Sequence, residues 1–193
     1  MKRLILLSVL LLALPGDALA EDLKDLLVSA MKASEQQASQ QARLTFVRDD
    51  GEVEYVIERV QPDRLHMTSS NGSAGSETFV IGDEVYQRTG AGWARSYAAQ
   101  APAVFSVAAL FDDGLQNVIE LDPVVAGGQQ RVFSAEIDWY TARNHNSGTI
   151  EVWLEEATSL PSRMSFAGTC GSVRCEFVQT MAYDASVVIE APE

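Results

Sequence analysis

The chain has 193 residues, 47% of them hydrophobic and 8% aromatic, with 14 Lys and Arg against 27 Asp and Glu for a formal net charge of −13. Such acidity opposes binding to nucleic-acid phosphates and to anionic lipid surfaces. The two cysteines and two histidines would all be needed for a four-ligand structural zinc site, and His66 and His145 are not at zinc-ligand spacing from each other or from the cysteines.

The first twenty residues have the layout of a cleavable signal peptide. Lys2 and Arg3 form a basic start, Leu4 to Leu14 an apolar run, Pro15-Gly16 a break, and Ala18-Leu19-Ala20 the small residues that a signal peptidase reads. The run is too short to cross a bilayer as a helix, which needs roughly 20 residues. No cysteine lies near the cut, so no N-terminal lipid is expected. The expected division is therefore a signal peptide over 1–20 and one domain over 21–193, large enough for a substantial core.

Glu21 to about Gln41 reads as a helix, with Leu23, Leu26, Leu27, Ala30, Met31 and Ser34 recurring at three and four and its polar second half fraying. Strands follow, in period two: Leu44 to Val47, Val53 to Glu58, Arg64 to Thr68, Glu77 to Ile81 and Glu84 to Arg88. Turns are expected at Asp49-Asp50-Gly51, Gln61-Pro62-Asp63, Gly82-Asp83 and Thr89 to Gly92, and a Ser/Gly-rich loop over 69–76. Between Ala101 and Leu115 the period changes. Pro102 can open a helix, and Val104, Phe105, Ala108, Leu110 and Phe111 make it apolar around most of its circumference, so it must bury that surface. Strand returns over 118–125 and 130–140, and Ile150 to Glu155, Arg163 to Phe166 and Glu176 to Tyr183 form a closing antiparallel meander. The fold class is α+β: one antiparallel sheet wrapped around an N-terminal and a central helix.

Catalytic chemistry is not legible. His66 and His145 stand apart from any metal-ligand spacing. Asn71 to Gly75 lacks the leading glycine of a nucleophile elbow, and Gly90-Ala91-Gly92 the third glycine of a dinucleotide loop. The paired carboxylates Asp49/Asp50, Asp112/Asp113 and Glu155/Glu156 sit at turns or strand ends, where solvation is their ordinary role. No catalytic residue, metal or cofactor is expected. Cys170 and Cys175, five apart around Gly171-Ser172, should close as a structural disulfide at a hairpin end.

What the chain does carry is an apolar series along its strands: Leu44, Phe46, Tyr55, Ile57, Leu65, Met67, Phe79, Ile81, Ile150, Val152, Leu154, Met164, Phe166 and Met181. These side chains either fill a closed core under the two helices or leave part of a curved sheet open as a cavity for an acyl chain. Periodicity does not separate the two.

Several segments resemble the LolA-type lipoprotein-carrier superfamily, with its LolB-like, LppX/LprG-like and RseB-like relatives. They are the hairpin Phe79 to Tyr86 with its Gly82-Asp83, the following Gly92-Trp93, Val152-Trp153-Leu154, Ser159-Leu160-Pro161-Ser162-Arg163, and the ending Tyr183 to Pro192. The resemblance spans nearly all of the chain after residue 20, and its motifs are structural. It implies an unclosed, strongly curved β-barrel in the periplasm, with a helix over its mouth. By position, Pro102 to Phe111 would be that lid, with Trp93 and Tyr97 beside it. The site implied is Phe46, Tyr55, Ile57, Leu65, Met67, Phe79, Ile81, Trp93, Val104, Phe105, Phe111, Val152, Met164 and Phe166. The ligand would be a lipid or the acyl chain of a lipoprotein, the carrier a monomer that exchanges it with a membrane protein, and the rival role an RseB-like envelope sensor. The chain departs from anchored relatives in having no lipobox, and from the general pattern in having the Cys170–Cys175 pair.

Overall fold

The computed structural model describes residues 16–49, 51–71, 74–97, 107–121, 130–140, 145–183 and 186–192. Helix α1 runs Gly16–Glu35, and the strands β1 (Ser39–Arg48), β2 (Gly51–Val60), β3 (Arg64–Asn71), β4 (Ala74–Ile81), β5 (Glu84–Thr89) and β6 (Gly92–Tyr97) follow. After them come α2 (Val107–Gly114), β7 (Leu115–Leu121), β8 (Gln130–Tyr140), β9 (His145–Glu155), β10 (Pro161–Cys170) and β11 (Val173–Ala182). All eleven strands belong to one sheet in the order β6-β5-β4-β3-β2-β1-β11-β10-β9-β8-β7. Every pairing is antiparallel, and β6 and β7 are the two ends, so the sheet is an unclosed barrel. The α+β expectation holds.

Element boundaries differ from the sequence reading in several places, four of which matter here, and the closing strands β9 to β11 also begin earlier than read. First, α1 stops at Glu35, with Gln36 N–H reaching Lys32 O at 3.2 Å and Gln37 N–H reaching Ser34 O at 3.2 Å. The glutamine-rich stretch then becomes strand, because β1 pairs from Ser39↔Val60 onward and gives each backbone group a ladder partner. Its start at Gly16 also carries the helical backbone through the Ala20–Glu21 junction. Second, the Ser/Gly-rich stretch is strand as far as Asn71 and again from Ala74, with Ser69 facing Ser76 and their hydroxyls 2.7 Å apart. Third, the described part of the central helix is Val107–Gly114; Pro102, Val104 and Phe105 lie outside the described residues. Fourth, β7 begins at Leu115, three residues earlier than read.

The core lies on one face of the sheet, under the helices. Leu27, Ala30 and Met31 of α1 and Ala108 and Phe111 of α2 pack with Leu115, Phe133, Ala135, Ile137, Ile150, Val152, Leu154, Met164 and Phe166. Phe111, Phe133 and Val152 are wholly inaccessible. Fully burying one such side chain contributes roughly 1.5–3 kcal/mol. Opposite glycines allow a ring to lie flat on the sheet here: Gly148 pairs with Gly168, and a Cβ on Gly168 would stand 2.7 Å from the Phe166 ring. Cys170 and Cys175 are joined across the β10–β11 hairpin end, as read from their spacing, with Cα atoms 5.8 Å apart.

Candidate functional site

The register carries one face continuously across all eleven strands. From the core, Phe166 faces Phe177, Phe177 faces Phe46, and Phe46 faces Val53. Likewise Met164 faces Gln179, Gln179 faces Leu44, and Leu44 faces Tyr55. Ile57 then faces Met67, and Arg59 faces Leu65. Residues directly opposite in a ladder project to the same side. Val53, Tyr55, Ile57, Leu65 and Met67 are therefore on the same face as the core of β8 to β10.

What covers that face changes along it. Among the described residues, the helices pack on β7, β8 and β10, and β2 to β6 receive no comparable helix cover. Exposure follows. Val152, Met164 and Phe166 are 0–3% exposed, whereas Phe46, Tyr55, Ile57, Leu65 and Met67 are each only partly buried. Among the described residues of β2 to β6, Val80 alone is buried. One half of the sheet is thus a finished core, and the other half presents a band of apolar side chains that this packing leaves unfinished. That band is the candidate site.

Where the band meets the helices, polar groups gather at the C-terminal end of α1. Tyr183 Oη donates to Pro161 O at 2.6 Å and lies 3.1 Å from Ser34 Oγ, and Gln40 Nε2 donates to the same Oγ at 3.2 Å. Burial pushes the Tyr183 phenol up to about 12, its bond with Ser34 opposing the shift. Glu35 Oε1 accepts from the Ala108 N–H at 3.1 Å, joining the end of α1 to the start of α2. Arg59 is the fourth member of the β2 series Val53, Tyr55, Ile57, Arg59. Its Nε is buried and has no hydrogen-bond partner among the described residues.

The opposite face is different in kind. His66 lies between Glu58 and Glu77, its nitrogens 2.9 and 3.1 Å from their carboxylates, and stacks on Phe79 with ring centroids 4.2 Å apart. Phe79 meets Trp93 edge-on at 5.4 Å, and the Arg88 guanidinium sits 5.3 Å from the Trp93 ring centre. The His66 bond holds the Glu58 carboxyl below its ordinary range, against a burial contribution of opposite sign. Residues 186–192 also meet this face: Arg64 Nη1 donates to Ile189 O at 2.6 Å, and Ile189 is 2% exposed.

The residues expected to form one cavity thus fall into separate groups. Tyr55, Ile57, Leu65 and Met67 share the open band, and Phe46 lies at its edge, packed against the core. Phe111, Val152, Met164 and Phe166 are in the closed core; Phe111 packs with α1 residues instead of standing over a mouth. Phe79, Ile81 and Trp93 are on the opposite face, because the registers Asn71↔Ala74 and Ile81↔Glu84 pair odd positions with even ones. The alternation must be carried from strand to strand through those registers, which makes Val80 and Val85 the same-face partners of Leu65. Arg59 was not among the expected residues: the period-two run was read only to Glu58, and β2 continues to Val60, which puts Arg59 with Tyr55 and Ile57. Among the described residues no cluster of three or more His, Cys, Asp or Glu is placed to hold a metal, and no helix is long and apolar enough to cross a membrane.

The fold is shared with LprF from Mycobacterium bovis at 13% identity, over 89% of this chain and 97% of that one, with a TM-score of 0.57. MucB aligns over 90% of this chain at 17% identity with a TM-score of 0.49, and this chain spans 62% of MucB's length. A LolA superfamily protein, NE2245 from Nitrosomonas europaea, aligns over 84% of this chain and 91% of its own at 12% identity, with a TM-score of 0.30. No protein-family model and no curated protein matches the sequence. At 13% identity the likeness to LprF is one of fold alone.

Proposed function

We propose that the protein is an exported, non-enzymatic carrier that holds a lipid, or the acyl chain of a lipoprotein, on the open apolar band of β1 to β3. One observation carries the reading: among the described residues, a single sheet face is filled by helices at one end and left with partly exposed Tyr55, Ile57, Leu65 and Met67 at the other. A solvated apolar band of this kind marks a surface that something else covers. The signal-peptide layout of residues 1–20 supports export of residues 21–193 to the envelope, where acyl chains need shelter in transit between membranes. Fully burying a methylene contributes about 0.8 kcal/mol, so a chain of a dozen methylenes covered on one side would gain roughly 5 kcal/mol before ordering costs.

The test is a titration of delipidated protein with a fluorescent fatty acid. Saturable binding that an unlabelled lipid displaces, and that Ile57→Asp abolishes while the circular dichroism spectrum is kept, supports the carrier. Absence of saturable binding with fatty acids, phospholipids and lipopeptides alike would refute it. If lipid-free protein instead crosslinks one specific membrane protein, the envelope-sensor role fits better.

A further inference from the structure

We infer that the cargo is an anionic amphiphile, its carboxylate or phosphate held by the Arg59 guanidinium while its apolar chain lies along Ile57, Tyr55 and Val53. The inference rests on the carrier reading and adds the chemistry of the cargo's head.

The argument begins with position. Arg59 is on the open, helix-bearing face by register, opposite Leu65 on one neighbouring strand and Gln40 on the other. It stands where the apolar band of β2 gives way to the polar groups Ser34, Glu35, Gln40 and Tyr183. An amphiphile has the same division along its length. From Arg59 to Val53 the strand rises about 20 Å, comparable to an extended fatty-acyl chain.

Next is the accounting of donors. A guanidinium offers five N–H donors in a planar fork suited to a carboxylate or a phosphate. Arg59 Nε is removed from water without gaining an acceptor among the described residues, a costly arrangement unless a further group supplies one. Burial draws Arg59 below the usual arginine value, and Glu35 opposes that shift only through space. The Glu35 carboxylate is already engaged by the Ala108 N–H at 3.1 Å. Arg131, a second cation on this face, differs: Glu120 holds it in a fork at 2.7 and 2.8 Å. Arg59 is thus a cation with an unused donor, beside a greasy band, in a chain of net charge −13 that otherwise repels anions.

The experiment uses two matched probes, cis-parinaric acid and its methyl ester, titrated into the full delipidated chain with native Arg59, Arg59→Gln or Arg59→Lys. Hydrogen bonds to charged groups of the usual strength predict that the native protein binds the acid roughly tenfold to a hundredfold more tightly than the ester. Arg59→Gln should bring the acid down to the ester's affinity and leave the ester unchanged, and Arg59→Lys should keep part of the preference. Equal affinity for acid and ester in the native protein overturns the inference but not the carrier reading, and this comparison needs no variant to fold. Equal weakening of both probes by Arg59→Gln in a folded variant overturns it too. Saturable binding of neither probe overturns the inference, and the carrier reading falls with it if phospholipids and lipopeptides also fail to bind.

Discussion

Met67 and Met164 offer a matched pair for testing the division of the sheet. Both are methionines on the same face, Met164 in β10 under α1 and Met67 in β3 beyond helix cover. Met164 is 2% exposed and belongs to the core, whereas Met67 is partly exposed. Truncating a buried methionine to alanine loses its transfer free energy and leaves a cavity, about 2–5 kcal/mol together. At Met67 only a fraction of the side chain leaves a dry environment and no closed cavity forms, so about 1 kcal/mol or less is at stake. Urea unfolding followed by tryptophan fluorescence should therefore separate Met164→Ala from Met67→Ala by at least about 1 kcal/mol at an unchanged m-value. Fatty-acid titration should show the reverse order, with Met67→Asp losing affinity and folded Met164→Ala keeping it. Equal destabilisation by the two alanine substitutions would mean the β3 half is as filled as the β10 half, and the carrier reading would lose its basis.

Phe111→Asp should fail to give a cooperative unfolding transition, because it places a carboxylate among Leu27, Met31 and Phe133; a stable variant that has merely lost binding would restore the lid role. Replacing Cys170 and Cys175 together by serine opens a loop of about six residues, worth about 2 kcal/mol on the chain-entropy model, and should lower the melting temperature by roughly 4–8 °C. An unchanged melting curve would show that the β10–β11 hairpin needs no tie. Tyr183 should make the fold alkali-sensitive. Its folded-state value lies near 12 against an ordinary 10.0, so the unfolded chain releases the proton first and stability falls as pH rises from about 10 to 12. Unfolding free energies measured across that range should fall less in Tyr183→Phe, which at neutral pH should cost about 1–2 kcal/mol by leaving Pro161 O without its donor.

Much of this architecture was legible before any coordinates. Period-two runs located the strands, Pro161 and Gly82-Asp83 marked their ends, and the Cys170–Cys175 spacing gave the tie. The site was only partly legible, for two physical reasons. An apolar residue at an inward position reads identically whether a helix or solvent lies above it, so Met67 and Met164 could not be told apart. Side assignment also propagates from strand to strand: treating each strand separately joined Phe79 and Ile81 to Leu65, whereas the pairing of odd with even positions in β3 and β4 sends them to the other side. Arg59 was overlooked because the period-two run was read only to Glu58, whereas β2 continues to Val60.

Two helices serving eleven strands also set a gradient of local rigidity. Amides of β8 to β10, roofed by α1 and α2, should open to hydrogen exchange only with global unfolding, whereas those of β2 to β5 should open in smaller fluctuations. The sheet would then be a stiff frame continuous with a pliable palm, and the palm would tighten around whatever it grips without any hinge between domains.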